Sequence, residues 1–382
     1  MCVGAIRVGA IPVGAMRLSA MLVAAILAGC STPPTRPWPE RTPDEVRAQL
    51  LALLPPKLAD RGDWATDIEA AFTHLDLLTS TDNLCAVLAV IEQETGYRAN
   101  PTVPDLPNIA RREIERRAGA LKIPKRAVSA VLALPSGHGQ SFAQRLAALR
   151  TEKDMSDLFE ELIDRVPMGR TLFASANPVH TGGSMQVSIA FAESHVAGHR
   201  YPYPMSGSVR DEVFTRRGGV YFGTAHLLQY PNAYDRHIYR YADFNAGWYA
   251  SRNAAFQMAL SRVAGIDLVP DGDLRLPDPG LFGRREGHTE RTAVAQAEAL
   301  GLSAARVRRD LALEDSFDFE QTDTWRAVFA RAEQLAGKPL PRAVLPRITL
   351  KSPKITRNLT TAWFAERVQG RYQQCMNRAY AR

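Results

Sequence analysis

The segment Leu84-Cys85-Ala86-Val87-Leu88-Ala89-Val90-Ile91 is apolar without interruption. Thr81-Asp82 before it and Gly96 after it are typical start and stop signals, which predict a helix over residues 82–94. A helix with no polar face must be buried on all sides, as the central helix of a small helical domain is. This segment therefore predicts the centre of the fold, and it places two acidic residues, Glu92 and Glu94, at the end of a buried helix.

The rest of the chain is mainly helical by pattern, so we expect a mainly α fold with very little strand. Apolar residues recur at helical spacing from Glu45 onward, and few runs alternate with period two. The further predicted helices span residues 43–54, 63–78, 109–121, 125–134, 140–149, 155–166, 184–194, 211–228, 247–263, 290–300, 304–313, 322–336 and 360–379. The Pro- and Gly-rich stretch 269–287 interrupts this pattern. It predicts a boundary between a main domain over residues 45–268 and a C-terminal helical extension over residues 269–382.

The N-terminus has the pattern of a secretory signal. A short apolar run over residues 18–28 follows Arg17, and it is too short to span a membrane stably. The run ends in Leu27-Ala28-Gly29-Cys30, which resembles the lipobox of bacterial lipoproteins and implies that Cys30 is the lipidated first residue of the mature chain. Ser31, in place of Asp, implies sorting to the outer membrane of a Gram-negative cell, facing the periplasm. The alternative is an ordinary signal with an incidental cysteine.

Residues 1–29 are thus predicted to be removed as a signal peptide, whether translation starts at Met1 or at Met16. Residues 30–44 would then form the lipidated cysteine and a Pro-rich tether, with four prolines between residues 31 and 40. Without Arg7 and Arg17 the formal charge falls from +7 to +5, which favours an anionic polymer as partner. Export argues against nucleic acid as a partner, and no later apolar stretch is long enough for a membrane span.

Two cysteines remain in the predicted mature chain besides Cys30, and they are Cys85 and Cys375. Disulfides persist in exported proteins, so these two residues are candidates for a bridge. Spacing alone does not prove connectivity, and two unrelated buried thiols are the alternative. A bridge would fasten the C-terminal extension to the central helix.

Three short segments carry the candidate chemistry, and they are Glu92-Gln93-Glu94-Thr95, Asn177-Pro178-Val179-His180-Thr181-Gly182-Gly183-Ser184-Met185-Gln186 and Phe244-Asn245-Ala246-Gly247. A carboxyl group at the C-terminal end of a buried helix is desolvated and meets the negative end of the helix dipole, so we expect its pKa to be raised. A raised pKa suits a general acid. Gly182-Gly183 permits close approach of the backbone to a ligand, and Met185-Gln186 supplies an apolar surface and an amide.

Together, in this order, the segments resemble the signature of the lysozyme-like lytic transglycosylases, which cleave the glycan strands of bacterial peptidoglycan. The resemblance implies a lysozyme-like fold over residues 45–268, with Glu94 as the single catalytic acid and base. It also implies substrate-binding residues in the sugar cleft, which are Thr95, Gly183, Met185, Gln186, Phe244, Asn245 and Gly247. It implies no metal ion and no organic cofactor.

Two departures from the family pattern concern activity rather than fold. Phe244 stands where the family has a Tyr whose hydroxyl helps to place the catalytic group, and Tyr241 and Tyr249 are the candidates to replace it. Glu94 and Gln186 are 92 residues apart, whereas a short loop joins these motifs in most of the family. Residues 97–176 are therefore predicted to be a helical insertion at the mouth of the cleft.

The cluster of Glu193, His195 and His199 is a weaker candidate site. The i, i+4 spacing of its two histidines can hold a metal ion, but Val196 occupies the place of the Glu in the His-Glu-x-x-His pattern. Surface or core histidines are the favoured interpretation, so we expect no metal site.

The expected function is that of a lipid-anchored murein hydrolase of lytic transglycosylase type, which cleaves the MurNAc–GlcNAc bond and leaves 1,6-anhydro ends. Its partners would be the glycan strands of peptidoglycan and, through the lipid anchor, the membrane. The alternative is a catalytically inactive, lysozyme-like envelope lipoprotein that binds peptidoglycan or a partner protein. The Phe244 substitution and the insertion favour that alternative.

Overall fold

The computed structural model of the protein describes residues 41–137, 139–165, 177–277, 285–350 and 357–381. The predicted signal peptide, Cys30 and the tether up to residue 40 lie outside the described residues. Residues 42–382 form one compact unit. Within the described residues the fold has sixteen α-helices and a single two-stranded sheet, so the predicted mainly α class is confirmed.

The elements before residue 189 are α1 Pro43–Leu53, α2 Arg61–His74, α3 Thr81–Glu94, α4 Leu106–Ala120, α5 Lys125–Ala133, α6 Phe142–Ala147, α7 Glu152–Asp164, β1 Thr181–Gly182 and β2 Val187–Ser188. The later helices are α8 Ile189–Gly198, α9 Val209–Val213, α10 Arg216–Leu228, α11 His237–Ala246, α12 Ala250–Ala264, α13 His288–Ala295, α14 Ala304–Leu311, α15 Asp323–Ala336 and α16 Thr361–Tyr380. Among the described helices, none combines the length and the hydrophobicity that a membrane span requires.

The predicted central helix is α3, and its burial on all sides is confirmed. Each residue from Leu84 to Ile91 exposes at most 1% of its surface. The helix begins after Ser80, whose hydroxyl accepts a hydrogen bond from the backbone N–H of Asn83 (3.2 Å). It ends at Glu94, because the following residues Gly96 and Tyr97 adopt left-handed backbone conformations with φ of 58° and 62°.

The last helix, α16, packs against both α3 and α11. Phe364 and Val368 of α16 are buried in the core that surrounds α3. A disulfide joins Cys85 of α3 to Cys375 of α16, with the two Cα atoms 5.5 Å apart across 290 residues of sequence. The sequence alone could not decide between a bridge and two separate thiols, and the structure contains the bridge. The C-terminal end of the chain is therefore part of the central core.

The described residues form two hydrophobic cores. The first surrounds α3 and takes in residues of the predicted insertion, such as Leu106 of α4 and Phe142 of α6. The second joins α12 to α13, α14 and α15 around Phe256 and Trp325. Each core uses residues from both sides of the predicted boundary at residue 269, because α12 precedes the boundary and α16 follows it. Leu274 is fully buried, so this part of the Pro- and Gly-rich stretch is a loop of the second core.

Several helix ends differ from expectation by a few residues, and three differences change the order of elements. The predicted helix over residues 184–194 begins only at Ile189, because residues 181–188 form a hairpin. The predicted helix over residues 211–228 is two helices, α9 and α10, and Thr215 between them caps α10 by accepting a hydrogen bond from the N–H of Gly218 (3.0 Å). The pattern misses α11, which has no side-chain cap at its N-terminus and mixes charged with aromatic residues.

We predict that removing the disulfide by the double substitution Cys85→Ala and Cys375→Ala lowers the free energy of unfolding by about 2–5 kcal/mol, because the bridge closes a very long loop in the unfolded chain. Urea unfolding measures this loss. A reducing agent should lower the midpoint of the unmodified protein and leave that of the double variant unchanged. Equal midpoints for the unmodified protein and the double variant, both measured without reducing agent, would contradict the prediction.

Candidate functional site

The two acidic residues at the end of α3 have different surroundings. Glu92 lies 3.8 Å from Nε of Arg371 on α16, and together with Glu366 it lines a cavity of about 330 Å³. Glu94 is half-buried at the last position of the helix. Residues two apart on a helix point about 200° away from each other. Glu92 thus faces α16, and Glu94 leaves the helix on the opposite side.

Thr95 connects the end of α3 to the second segment. Its side chain is buried, and its hydroxyl donates a hydrogen bond to the backbone carbonyl of Ser184 (2.9 Å). The backbone N–H of Thr95 donates to the carbonyl of Ile91 (3.1 Å), which fixes the residue to the last helical turn. Two segments that are far apart in sequence are therefore in direct contact beside Glu94.

The second segment is a tight hairpin formed by β1 and β2, in which Gly182 pairs with Val187. Gly183 has φ of 74°, and a Cβ atom at this position would lie 2.1 Å from the backbone carbonyl oxygen of Val213. Only glycine fits so close an approach to another backbone. Gln186 also has a positive φ, 51°, and its N–H donates to the carbonyl of Gly183 (3.1 Å) to close the turn.

The hairpin rests on α10, which presents glycines to it. A Cβ atom at Gly219 would lie 2.7 Å from the backbone nitrogen of Ser184, and one at Gly223 would lie 2.4 Å from Sδ of Met185. Met185 exposes none of its surface. In this structure the side chain packs between the hairpin and α10, so its predicted contact with substrate would require the hairpin to move.

The amide of Gln186 folds back on its own hairpin. Its Nε2 donates to the carbonyl of Gly183 (3.4 Å), and its Oε1 accepts from the hydroxyl of Thr181 (3.3 Å). The side chain keeps part of its surface exposed. Both hydrogen bonds are long, so the amide can exchange these weak partners for a ligand.

The third segment reaches the same helix through an aromatic cluster that we define as Phe191, His226, Phe244 and Trp248. The ring of Phe244 meets the ring of His226 edge-on with centroids 5.0 Å apart, and Trp248 donates from Nε1 to the carbonyl of His226 (2.8 Å). His226 lies on the same face of α10 as Gly219 and Gly223, about 10 Å from Gly219 along the helix. Burial lowers the pKa of His226 to about 4, so this imidazole is neutral near neutral pH.

The other residues of the third segment hold neighbouring elements. Oδ1 of Asn245 accepts a hydrogen bond from the hydroxyl of Thr361 (2.9 Å) at the start of α16. Gly247 ends α11 with φ of 109°. The hydroxyl of Tyr249 donates to the carbonyl of Pro231 (2.9 Å), and Tyr241 packs against Tyr372 of α16. The hydroxyl of Tyr249 is thus engaged. Tyr372 donates its hydroxyl to Asp82, so Tyr241 lies towards the start of α3, whereas Glu94 ends that helix.

Asp243 is a buried acid that the sequence analysis did not single out. It accepts hydrogen bonds from the hydroxyls of Tyr230 (3.0 Å) and Tyr234 (2.6 Å) and from the backbone N–H groups of Tyr249 (3.0 Å) and Ser251 (2.7 Å). Burial raises the pKa of the Asp243 carboxyl, and these hydrogen bonds oppose that rise. Asp243 fixes the turn from α11 to α12 and so holds Phe244 and Gly247 in place. Its only signal in the sequence is its position directly before Phe244.

A cavity of about 400 Å³ borders Gly247 and Trp248, and loops of the second core form its other wall. Asp273, Glu314 and Asp315 line it together with Arg275. Burial raises the pKa of Glu314 to about 7, and the nearby charge of Asp315 adds to this rise.

The two histidines of the weaker candidate cluster stack on each other. The rings of His195 and His199 stack with centroids 4.2 Å apart, and burial lowers the pKa of His195 to about 4. Glu193 is exposed. Among the described residues, no group of three or more His, Cys, Asp or Glu side chains is arranged to hold a metal ion.

The chain is therefore a mainly helical protein in which three separate segments meet along one face of α10, beside the end of a buried, disulfide-bonded helix. It belongs to the family described as "Protein of unknown function (DUF1615)", which matches residues 57–378. It is 50% identical over 351 residues to "Uncharacterized protein YaiW" of Escherichia coli (strain K12), and this match covers 92% of the chain and 95% of that protein. No solved structure matches the chain. Neither description names an activity, so the likeness to lytic transglycosylases stays a prediction.

We predict that Thr95→Val destabilises the protein by about 1–3 kcal/mol, because it leaves the buried carbonyl of Ser184 without its donor. Thr95→Ser keeps the hydroxyl and serves as the matched control, with a smaller loss. The free energy of unfolding in urea measures both effects. A larger loss for Thr95→Ser than for Thr95→Val would mean that the methyl group, and not the hydrogen bond, holds the hairpin against α3.

Proposed function

We propose that the protein is a murein hydrolase of lytic transglycosylase type, with Glu94 as the catalytic residue. The observation that carries the proposal is the hydrogen bond from Thr95 to the carbonyl of Ser184, which sets the Gly-Gly hairpin beside Glu94. The partly exposed amide of Gln186 and the aromatic cluster extend along the same face of α10. Aromatic rings and amides of this kind suit the apolar faces and hydroxyl groups of a sugar chain.

In the proposed reaction Glu94 first acts as an acid and protonates the glycosidic oxygen, so that the bond from C1 of MurNAc to this oxygen breaks. The N-acetyl group of the same sugar stabilises the positive charge at C1. Glu94 then acts as a base and takes the proton of the C6 hydroxyl, whose oxygen bonds to C1. One carboxyl group thus gives and regains one proton without water, an exception to the two-carboxylate mechanism. No cofactor enters these steps.

A second function remains in view, that of an inactive envelope protein that binds peptidoglycan or a partner protein. Phe244 has no hydroxyl, the hydroxyl of Tyr249 is bonded to Pro231, and Tyr241 packs against Tyr372 of α16. Met185 has no exposed surface. The described part of the insertion contributes α4 to α7, whose buried residues belong to the first core. These features favour retention of the fold without the chemistry.

We predict that Glu94→Gln lowers the rate of glycan cleavage by about a hundred- to ten-thousand-fold, because the amide cannot transfer a proton. The assay is digestion of purified murein sacculi by the chain from residue 31 onward, with the released anhydro-muropeptides identified by mass. Glu92→Gln is the matched control, since it removes the same charge from the same helix on the side facing α16. It should cleave like the unmodified protein.

Two outcomes would contradict the proposal that the protein is a murein hydrolase. One is cleavage by Glu94→Gln at the rate of the Glu92→Gln control, which would assign the chemistry elsewhere. The other is the lack of any product from the folded, unmodified protein. In that case, retention of the protein on sacculi would support the binding function.

We also propose that Cys30 carries a lipid that anchors the protein in the outer membrane, facing the periplasm. The proposal rests on the Leu27-Ala28-Gly29-Cys30 pattern. Cys30→Ala should move the protein from the membrane fraction to the soluble fraction and change its processed size. Unchanged fractionation and size would refute the anchor.

A further inference from the structure

The turn between α4 and α5, together with α5 itself, exposes large apolar side chains. The exposed fraction is 61% for Leu121, 43% for Ile123, 46% for Val131 and 50% for Leu134. Monomeric proteins expose single apolar residues routinely, but a group of them on one element marks an interaction surface. We define the apolar stripe as these four residues and Ala127.

Three residues of the stripe follow one face of α5 as far as its C-terminal cap. Ala127, Val131 and Leu134 have i, i+4, i+7 spacing and therefore line up along the helix. Val128 and Leu132 point into the first core, with exposed fractions of 8% and 3%. The helix is thus apolar on two adjoining sides, of which the protein covers only one.

Basic residues surround the stripe. Residues 105–134 contain seven Lys or Arg residues and three Asp or Glu residues. All three acids are already engaged: Glu113 pairs with Arg116 and Arg117, Glu115 with Arg111 and Lys125, and Asp105 with Arg112. Lys122 and Arg126 are exposed beside the stripe. The surface therefore combines exposed apolar groups with a surplus of positive charge.

We propose that this surface docks on a bilayer that contains anionic phospholipids, with the stripe among the lipid headgroups and the basic residues against their phosphates. An amphipathic helix with a basic flank binds membranes in this way. Four large side chains are too few for a stable contact with a second protein copy, which needs about 20–30 residues a side. The proposal is independent of the proposed murein activity, and it gives the predicted insertion a role in orienting the protein on a membrane.

The test is flotation of the chain from residue 31 onward, which lacks Cys30 and keeps the compact unit of residues 42–382. It should float with vesicles of phosphatidylethanolamine and phosphatidylglycerol but not with vesicles of phosphatidylcholine alone, and salt should weaken the binding. The double substitution Val131→Ser and Leu134→Ser should weaken binding by about ten-fold or more, because it removes the apolar groups that enter the membrane.

The matched control is Val269→Ser with Leu335→Ser, which changes two residues of similar exposure, 62% and 48%, away from the insertion. This control should bind vesicles as the unmodified chain does. The unfolding midpoints of both double variants should stay close to the midpoint of the unmodified chain. Equal binding by the two double variants would overturn the proposal, as would failure of the unmodified chain to float. Self-association that the stripe substitutions abolish would assign the surface to a second copy and overturn it as well.

Discussion

The helix α3 has no polar face, so water must be kept from its whole surface, and much of the structure follows from that requirement. The chain meets it by packing α16 and α10 against α3 and by fastening α16 with the disulfide between Cys85 and Cys375. The cover stops at the C-terminal end of the helix. There Glu94 keeps part of its surface exposed, while Thr95 turns inward to the Gly-Gly hairpin. The candidate site is thus the place where the covering of the central helix ends.

Glycine positions on α10 decide how close the candidate segments come to one another. Side chains at Gly219 and Gly223 would occupy the space of Ser184 and Met185, so any larger residue would push the hairpin away. About one turn beyond Gly223, the larger side chain of His226 contacts the other three rings of the aromatic cluster. The helix α10 therefore determines both how closely the hairpin packs against it and where the third segment lies. Asp243 makes this arrangement rigid by fixing the turn that follows α11.

Local pattern predicts the parts of this structure that depend on neighbouring residues. The run of residues 84–91 predicts a buried helix. The Gly-Gly pair predicts close backbone approach to a ligand, and the approach that the structure contains is between Gly183 and the backbone of Val213. The return of α16 to α3, the second core and the inward direction of Met185 depend on contacts between distant residues, which period and composition do not encode. The break between α9 and α10 depends on a single cap at Thr215. The role of Asp243 cannot be predicted from a local pattern, because it depends on four hydrogen-bond donors that the fold brings around the carboxylate.

The placement of α16 also has a consequence for the order in which parts of the chain fold. One side of the first core is supplied by residues close to the C-terminus, and Cys375 has no partner until it reaches Cys85. During synthesis, α3 emerges from the ribosome long before the helix that covers it. The first core can therefore close only after nearly the whole chain has been made, and formation of the disulfide marks the completion of that step.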